Sequence, residues 1–231
     1  MKLMPKSVLN QLPELNSVYH APKWLKNLSK IVSFIFHPVF LPMAGVLFLF
    51  SLGLGFQSVS PDLRNKLTQL VLAIVAISTI LLPLVAIPML YSFKIISSIE
   101  MKQSKERVFP FLLTAISIFW GYILLQNFPV PVPEIMLNYI LASSIATLLL
   151  AVVSVFYKIS AHLTGLGGFF ALILFINTYY LPDTMLFFNL TLALLALIAT
   201  ARLLLHEHNG LQLISGFLVG FSIVGFLLYY G

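Results

Sequence analysis

The chain has 231 residues, 60% of them hydrophobic and 9% charged, with a mean hydropathy of +1.02. Soluble domains carry about 25% charged residues, so this composition excludes a water-soluble globule and predicts a polytopic membrane protein. The net charge of +6 then describes loops and topology rather than nucleic-acid binding, and the absence of cysteine removes disulfides and thiolate metal sites.

Residues 1–30 carry Lys2, Lys6, Lys23, Lys26 and Lys30, interrupted by Pro5, Pro13 and Pro22. They read as a basic segment on the membrane surface with Trp24 at headgroup depth; a disordered tail is the alternative. No apolar core with a small-residue cleavage site is present there, so no cleavable signal peptide is expected. Residues 31–231 hold seven apolar runs, at about 31–55, 67–91, 108–127, 136–157, 163–181, 184–204 and 211–230. Each approaches the roughly 20 residues that cross a bilayer core. Pro38, Pro42, Pro83 and Pro88 should kink the first two runs. The fold predicted is therefore all-α, one transmembrane bundle of about seven spans. A six-span count, with the first run re-entrant at Pro38 and Pro42, is the alternative.

With seven spans, loops 92–107, 158–162 and 205–210 return to the side of the N-terminus. That side collects Lys2, Lys6, Lys23, Lys26, Lys30, Lys94, Lys102, Lys105, Arg107, Lys158 and Arg202, against Arg64 and Lys66 opposite. The excess of Lys and Arg predicts that the N-terminal side is cytoplasmic. Helical spans point to the inner membrane of a bacterium, because outer-membrane proteins are barrels.

Three polar clusters share this side: 102–110, 158–162 and 201–212. Cations and histidines converging at helix N-termini suit a phosphate. Simpler readings stand beside this one. Arg202 and His208 fit an ordinary helix end, His162 fits a loop cap, and Lys102, Lys105 and Arg107 fit a solvated loop. His206 and His208 with His162 and Glu207 are a weaker metal alternative, and no metal or other cofactor is expected. His37, just before Pro38, reads as structural.

The three clusters resemble the signatures of the type 2 phosphatidic-acid phosphatase superfamily. Its third signature, Ser-Arg-x5-His-x3-Asp, is matched by Ala201-Arg202, His208 and Gln212; its second, Pro-Ser-Gly-His, by Ile159-Ser160-Ala161-His162; its first, Lys-x6-Arg-Pro, by Lys102 and Phe109-Pro110, with Arg107 two positions early. The resemblance covers about residues 95–220. It implies that His208 attacks phosphorus to give a phosphohistidine and that His162 protonates the leaving oxygen. It implies that Arg202, Lys102, Arg107 and Lys158 hold phosphoryl oxygens, with Ser160 adding a hydrogen bond.

Gln212 stands where the family has an aspartate. Its carbonyl can accept the His208 Nδ1–H, but it supplies no negative charge. Phe109 stands in place of an arginine and Ala201 in place of a serine. The expectation is a divergent phosphatase or phosphotransferase acting on a membrane lipid phosphate or a polyprenyl pyrophosphate. A relative that binds lipid phosphate without turnover, or serves as a membrane scaffold, is the alternative.

Overall fold

In the computed structural model, residues 21–99, 101, 103–181 and 185–231 are described. The described residues form helices without strands. Seven helical runs are long and apolar enough to cross a membrane: Lys23–Ser51, Pro61–Ser92, Ser104–Gln126, Glu134–Ser154, Ala161–Tyr179, Met185–Leu204 and Gly210–Tyr230. The seven-span expectation holds, and residues 23–30 of the expected surface segment are helical, at the start of the first run. The expected surface segment otherwise falls on residues 1–20, outside the described residues.

Proline divides the first two runs. Helix α1 (Lys23–Ile35) stops before Pro38, which has no N–H to donate to the Phe34 carbonyl; His37 N–H donates there instead, at 3.3 Å. A 3-10 turn, Pro38–Phe40, leads into α2 (Leu41–Ser51). In the second run, α3 (Pro61–Ala76) widens into a π turn at Ile77–Leu81 before α4 (Leu82–Ser92). Pro83 causes this: it cannot bond the Thr79 carbonyl, and its ring pushes that carbonyl away. The 3-10 turn of the first run packs on the π turn of the second.

The remaining spans are more regular. A 3-10 turn at Ser104–Arg107 opens α5 (Val108–Gln126), followed by α6 (Glu134–Ser154), α7 (Ala161–Tyr179), α8 (Met185–Leu204) and α9 (Gly210–Tyr230). Helices α7 and α9 start at the same end of the bundle and pack most closely. Gly216 and Gly220, four apart on α9, face the Ser160 and Thr164 carbonyls of α7, and Gly167 of α7 faces the Phe217 carbonyl. Small residues at this spacing let two backbones touch, which drives helix association in lipid, where apolar burial gives no net force.

One apolar cluster fills the end away from the polar loops, around Val71, Met136, Tyr139, Leu172 and Ile176. A smaller one, Leu41, Leu163, Leu166, Ile198 and Leu213, joins α2, α7, α8 and α9 under the polar end. It is the floor on which the site is built.

Candidate functional site

The start of α9 sets the first histidine. Asn209 caps the helix, its Oδ1 accepting the Gln212 N–H at 2.9 Å. Gln212 reaches back, and its Oε1 accepts the Asn209 N–H at 3.2 Å, which completes a capping box. The same Oε1 lies 3.1 Å from His208 Nδ1. A backbone N–H can only donate, so the atom facing it is the amide oxygen. His208 Nδ1 must then donate to that oxygen. Neutral His208 is thereby held as the Nδ1–H tautomer, with the lone pair on Nε2.

His208 is 7% exposed. Burial, then the positive charge of Arg202 and of Arg107, pull its pKa from the ordinary 6.5 down to about 4, against a small upward pull from Gln212. The Nε2 lone pair is therefore free at neutral pH. Replacing Gln212 with Glu puts a negative charge at the same distance. The expected result of Gln212→Glu is a rise of about 1 to 3 units in the His208 titration, read from its ring nitrogens by NMR. An unchanged titration would mean that Gln212 does not hold the imidazole.

The end of α8 brings the cations. His206 adopts φ 53°, and its N–H donates to the Leu203 carbonyl at 2.9 Å while Glu207 N–H donates to the Arg202 carbonyl at 3.2 Å. This pair of bonds ends the helix and folds the chain back over Arg202. The Glu207 carboxylate then lies 3.7 Å from Arg202 and 3.7 Å from Lys158. Burial and the nearby Arg107 charge lower the Lys158 pKa, and Glu207 partly offsets them. Arg107 is buried and fixed by donation from its Nε to the Met101 carbonyl at 3.0 Å.

His162 lies in the first turn of α7, rather than in the preceding loop, and is 9% exposed. Its Nε2 donates to the Ser33 carbonyl of α1 at 3.0 Å, leaving Nδ1 for a ligand. The Ser160 N–H donates to the Gln212 carbonyl at 3.2 Å, so the two histidine-bearing helix starts are tied directly.

These groups share one cavity of about 550 Å³ lined by Arg107, His162, Arg202, Glu207 and His208. It continues inward along apolar residues such as Leu84, Phe111, Ile118 and Leu150. The expected convergence of His162, His208, Arg202 and Arg107 is thus observed. Phe109 is exposed while Arg107, two positions earlier, turns inward. Lys158 approaches through Glu207 rather than by lining the cavity. Gln212 acts through His208. Ser160 is fully buried, and its Oγ caps α7 by accepting the Leu163 N–H at 3.5 Å. Lys102 lies outside the described residues.

Sequence reasoning passed over the contribution of α1. Lys30, Ser33 and His37 line the same cavity: Lys30 and Ser33, three apart, share one face of α1, and His37 follows beyond the helix end, at the start of the 3-10 turn. The His37 ring meets the His162 ring edge-on, with centroids 5.6 Å apart. His37 Nδ1 accepts the Val39 N–H at 3.3 Å, so neutral His37 carries its proton on Nε2. The signal legible in the sequence was the spacing of Lys30 and Ser33; His37 reads there as structural. Among the described residues no three His, Asp or Glu side chains gather as a metal would need.

No family model, curated protein or solved structure matches the chain.

Proposed function

We propose that the chain is a membrane lipid-phosphate phosphatase, working through a phosphohistidine on His208. The observation that carries the reading is the pairing of a buried imidazole, its lone pair directed by Gln212, with two arginines in a cavity that is polar at its mouth and apolar below. Arg202 and Arg107 hold the phosphoryl oxygens and stabilise the charge that builds on them. His208 Nε2 attacks phosphorus; an N–P bond forms as the P–O ester bond breaks. The bound phosphate monoanion brings its own proton; His162 Nδ1, the lone-pair atom of the neutral ring, takes that proton and passes it to the departing lipid oxygen. Water then cleaves the N–P bond and releases inorganic phosphate. The signatures around Arg202, His208, His162 and Arg107 resemble those of the type 2 phosphatidic-acid phosphatase superfamily and support the same chemistry.

The cavity also suits entry from the bilayer. The first and second runs meet at their 3-10 and π turns, whereas α1 and α4 do not pack along their length. Phe34 and Leu84 line the cavity between them, and both are exposed. A headgroup can slide in there without its chains leaving lipid. The excess of Lys and Arg at the end bearing the site supports a cytoplasmic site, and the helical spans support an inner membrane of a bacterium. Cysteines placed at Ser104 and Asn209 should then label from the cytoplasmic side only, and one at Gln57 from the other side only. Labelling of Ser104→Cys and Asn209→Cys from different sides overturns this topology.

The test of function is phosphate release from a panel of lipid phosphates by purified protein in nanodiscs. One observation favours a second reading, in which lipid phosphate is bound and not cleaved: Gln212 brings no charge to stabilise an imidazolium, and Glu207 competes for Arg202. Saturable binding without release from any member of the panel would select it.

A further inference from the structure

The chemistry proposed above uses Arg107, Arg202, His162 and His208 and gives His37 no part. His37 stands where the first run breaks, after α1 and before the 3-10 turn, and its Nδ1 caps that turn by accepting the Val39 N–H. Asn, Asp and Ser serve best at a cap; a histidine there spends one ring nitrogen and keeps the other. The other, Nε2, carries the proton, and it donates to no described residue. Among the described residues, the unpaired side-chain atoms that are closed off are Ser33 Oγ, Thr79 Oγ1 and Arg202 Nε. His37 Nε2 differs from these: its ring is half-buried and lines the cavity, so the N–H is open.

Several contacts tie this ring to the charged end. The His37 and His162 rings meet edge-on with centres 5.6 Å apart. The 3-10 turn that His37 caps packs on α7, whose first turn carries His162, and α1 packs on α8, whose last turn carries Arg202. The Arg202 charge reaches both rings. A hydrogen-bonded oxygen lies roughly 4 Å from the centre of an imidazole ring. Rings with centres 5.6 Å apart are therefore spaced to take two oxygens of one tetrahedral phosphoryl group. Their open atoms are complementary, since His37 Nε2–H donates and His162 Nδ1 accepts.

We propose that His37 is a further ligand-binding residue of this site, donating its Nε2–H to a phosphoryl oxygen of the bound phosphate ester. This rests on the reading of the cavity as a phosphate site. The arginines meet the phosphoryl group as cations, whereas His37 meets it as a neutral donor held in one tautomer. The break at Pro38 is what holds it. In an unbroken helix the Val39 N–H would bond the Ile35 carbonyl, and Nδ1 would have nothing to cap, so either ring nitrogen could carry the proton. A neutral donor adds a directed bond without adding positive charge beside His208, whose lone pair must stay free to attack.

Two variants divide the ring into its parts. Asn places an acceptor near the Nδ1 position and nothing at Nε2; Gln reaches the Nε2 position with an amide donor. His37→Asn keeps the cap, so its melting temperature should stay near that of wild type. Its affinity for dioleoyl phosphatidic acid, measured on the full-length protein in nanodiscs, should fall roughly 10- to 100-fold, the value of a hydrogen bond to a charged group. His37→Gln should recover most of that loss. Inorganic phosphate should lose affinity in His37→Asn by the same factor as the lipid, because the contact is to the phosphoryl group and not to glycerol or chains. Wild-type affinity in His37→Asn, an equal loss in His37→Gln, or a loss confined to the lipid overturns the assignment. If His37→Asn does not fold, wild type decides: the His37 Nε2–H proton resonance should move downfield when either ligand is added, and an unmoved resonance overturns the assignment. Arg202→Gln separates this from the broader reading, because it should weaken both ligands whether or not His37 takes part. If Arg202→Gln binds them as wild type does, the phosphate site itself is wrong and the His37 assignment falls with it. If Arg202→Gln weakens binding and His37→Asn does not, His37 alone is wrong.

Discussion

His208→Ala is expected to abolish phosphate release from lipid phosphates, by about 10³-fold or more, while lipid-phosphate binding persists. Loss of a nucleophile removes the covalent route, and what survives comes from the remaining electrostatics and binding. Arg202 and Arg107 do not depend on the imidazole for their positions: Arg107 is held by Met101 and Arg202 by α8 and Glu207. The variant should therefore separate chemistry from affinity. Turnover that survives His208→Ala removes the phosphohistidine mechanism; loss of binding together with turnover points to a structural role for His208.

The pH profile carries the same argument. His208 must be neutral to attack, and burial with two nearby arginines holds its pKa at about 4. The value of kcat/KM, which reports the free protein, should not decline for want of this lone pair until pH falls toward 4. An ordinary histidine would decline near 6.5. Stability follows the linkage sign. Between about 4 and 6.5 the unfolded chain binds a proton at this position and the folded chain does not, so the His208 contribution to stability falls as pH drops through that window. Thermal melts across that range should show the trend in wild type and a weaker one in His208→Ala.

Much of this was legible in the chain because membrane spans and charge clusters are local signals. Apolar runs fixed the seven spans, and returning loops put Arg107, His162, Arg202 and His208 on one side. Gln212 was readable as a partner for His208 because helix N-termini place residues four apart side by side. The part played by α1 was not readable in the same way. Ser33 enters through its main-chain carbonyl, and a carbonyl has no sequence signature. His37 looked like a residue that merely precedes a proline, yet the break that Pro38 makes is what turns its ring toward His162. The inward turn of Arg107 depends on a backbone bend at Met101, φ 46°, which no residue type announces.

The second large effect is expected at the seam between α7 and α9. A Cβ on Gly220 would overlap the Thr164 carbonyl, and one on Gly216 would lie 2.6 Å from the Ser160 carbonyl. Backbone cannot move aside as a flexible side chain can, so Gly220→Val must spread the helices. The cost should reach or exceed the roughly 1–3 kcal/mol of an overpacked core. Gly225, on the same helix, has open space where its Cβ would be. Gly225→Ala should therefore be neutral or stabilising by up to about 1 kcal/mol, from helix propensity alone. The contrast between two glycines on one helix isolates packing from propensity, and melts in one detergent would read it. The consequence for the site is separable from stability. The Ser160 N–H to Gln212 carbonyl bond crosses this seam, and Gln212 holds His208 while Ser160 starts the helix that carries His162. Spreading the seam misaligns the two histidines even in protein that remains folded. Gly216→Ala, the milder change, should lower turnover at a temperature well below its melting point, with the bundle intact. If Gly216→Ala and Gly220→Val melt and turn over like Gly225→Ala, the two helices are not in backbone contact, and the alignment of the site must come from elsewhere.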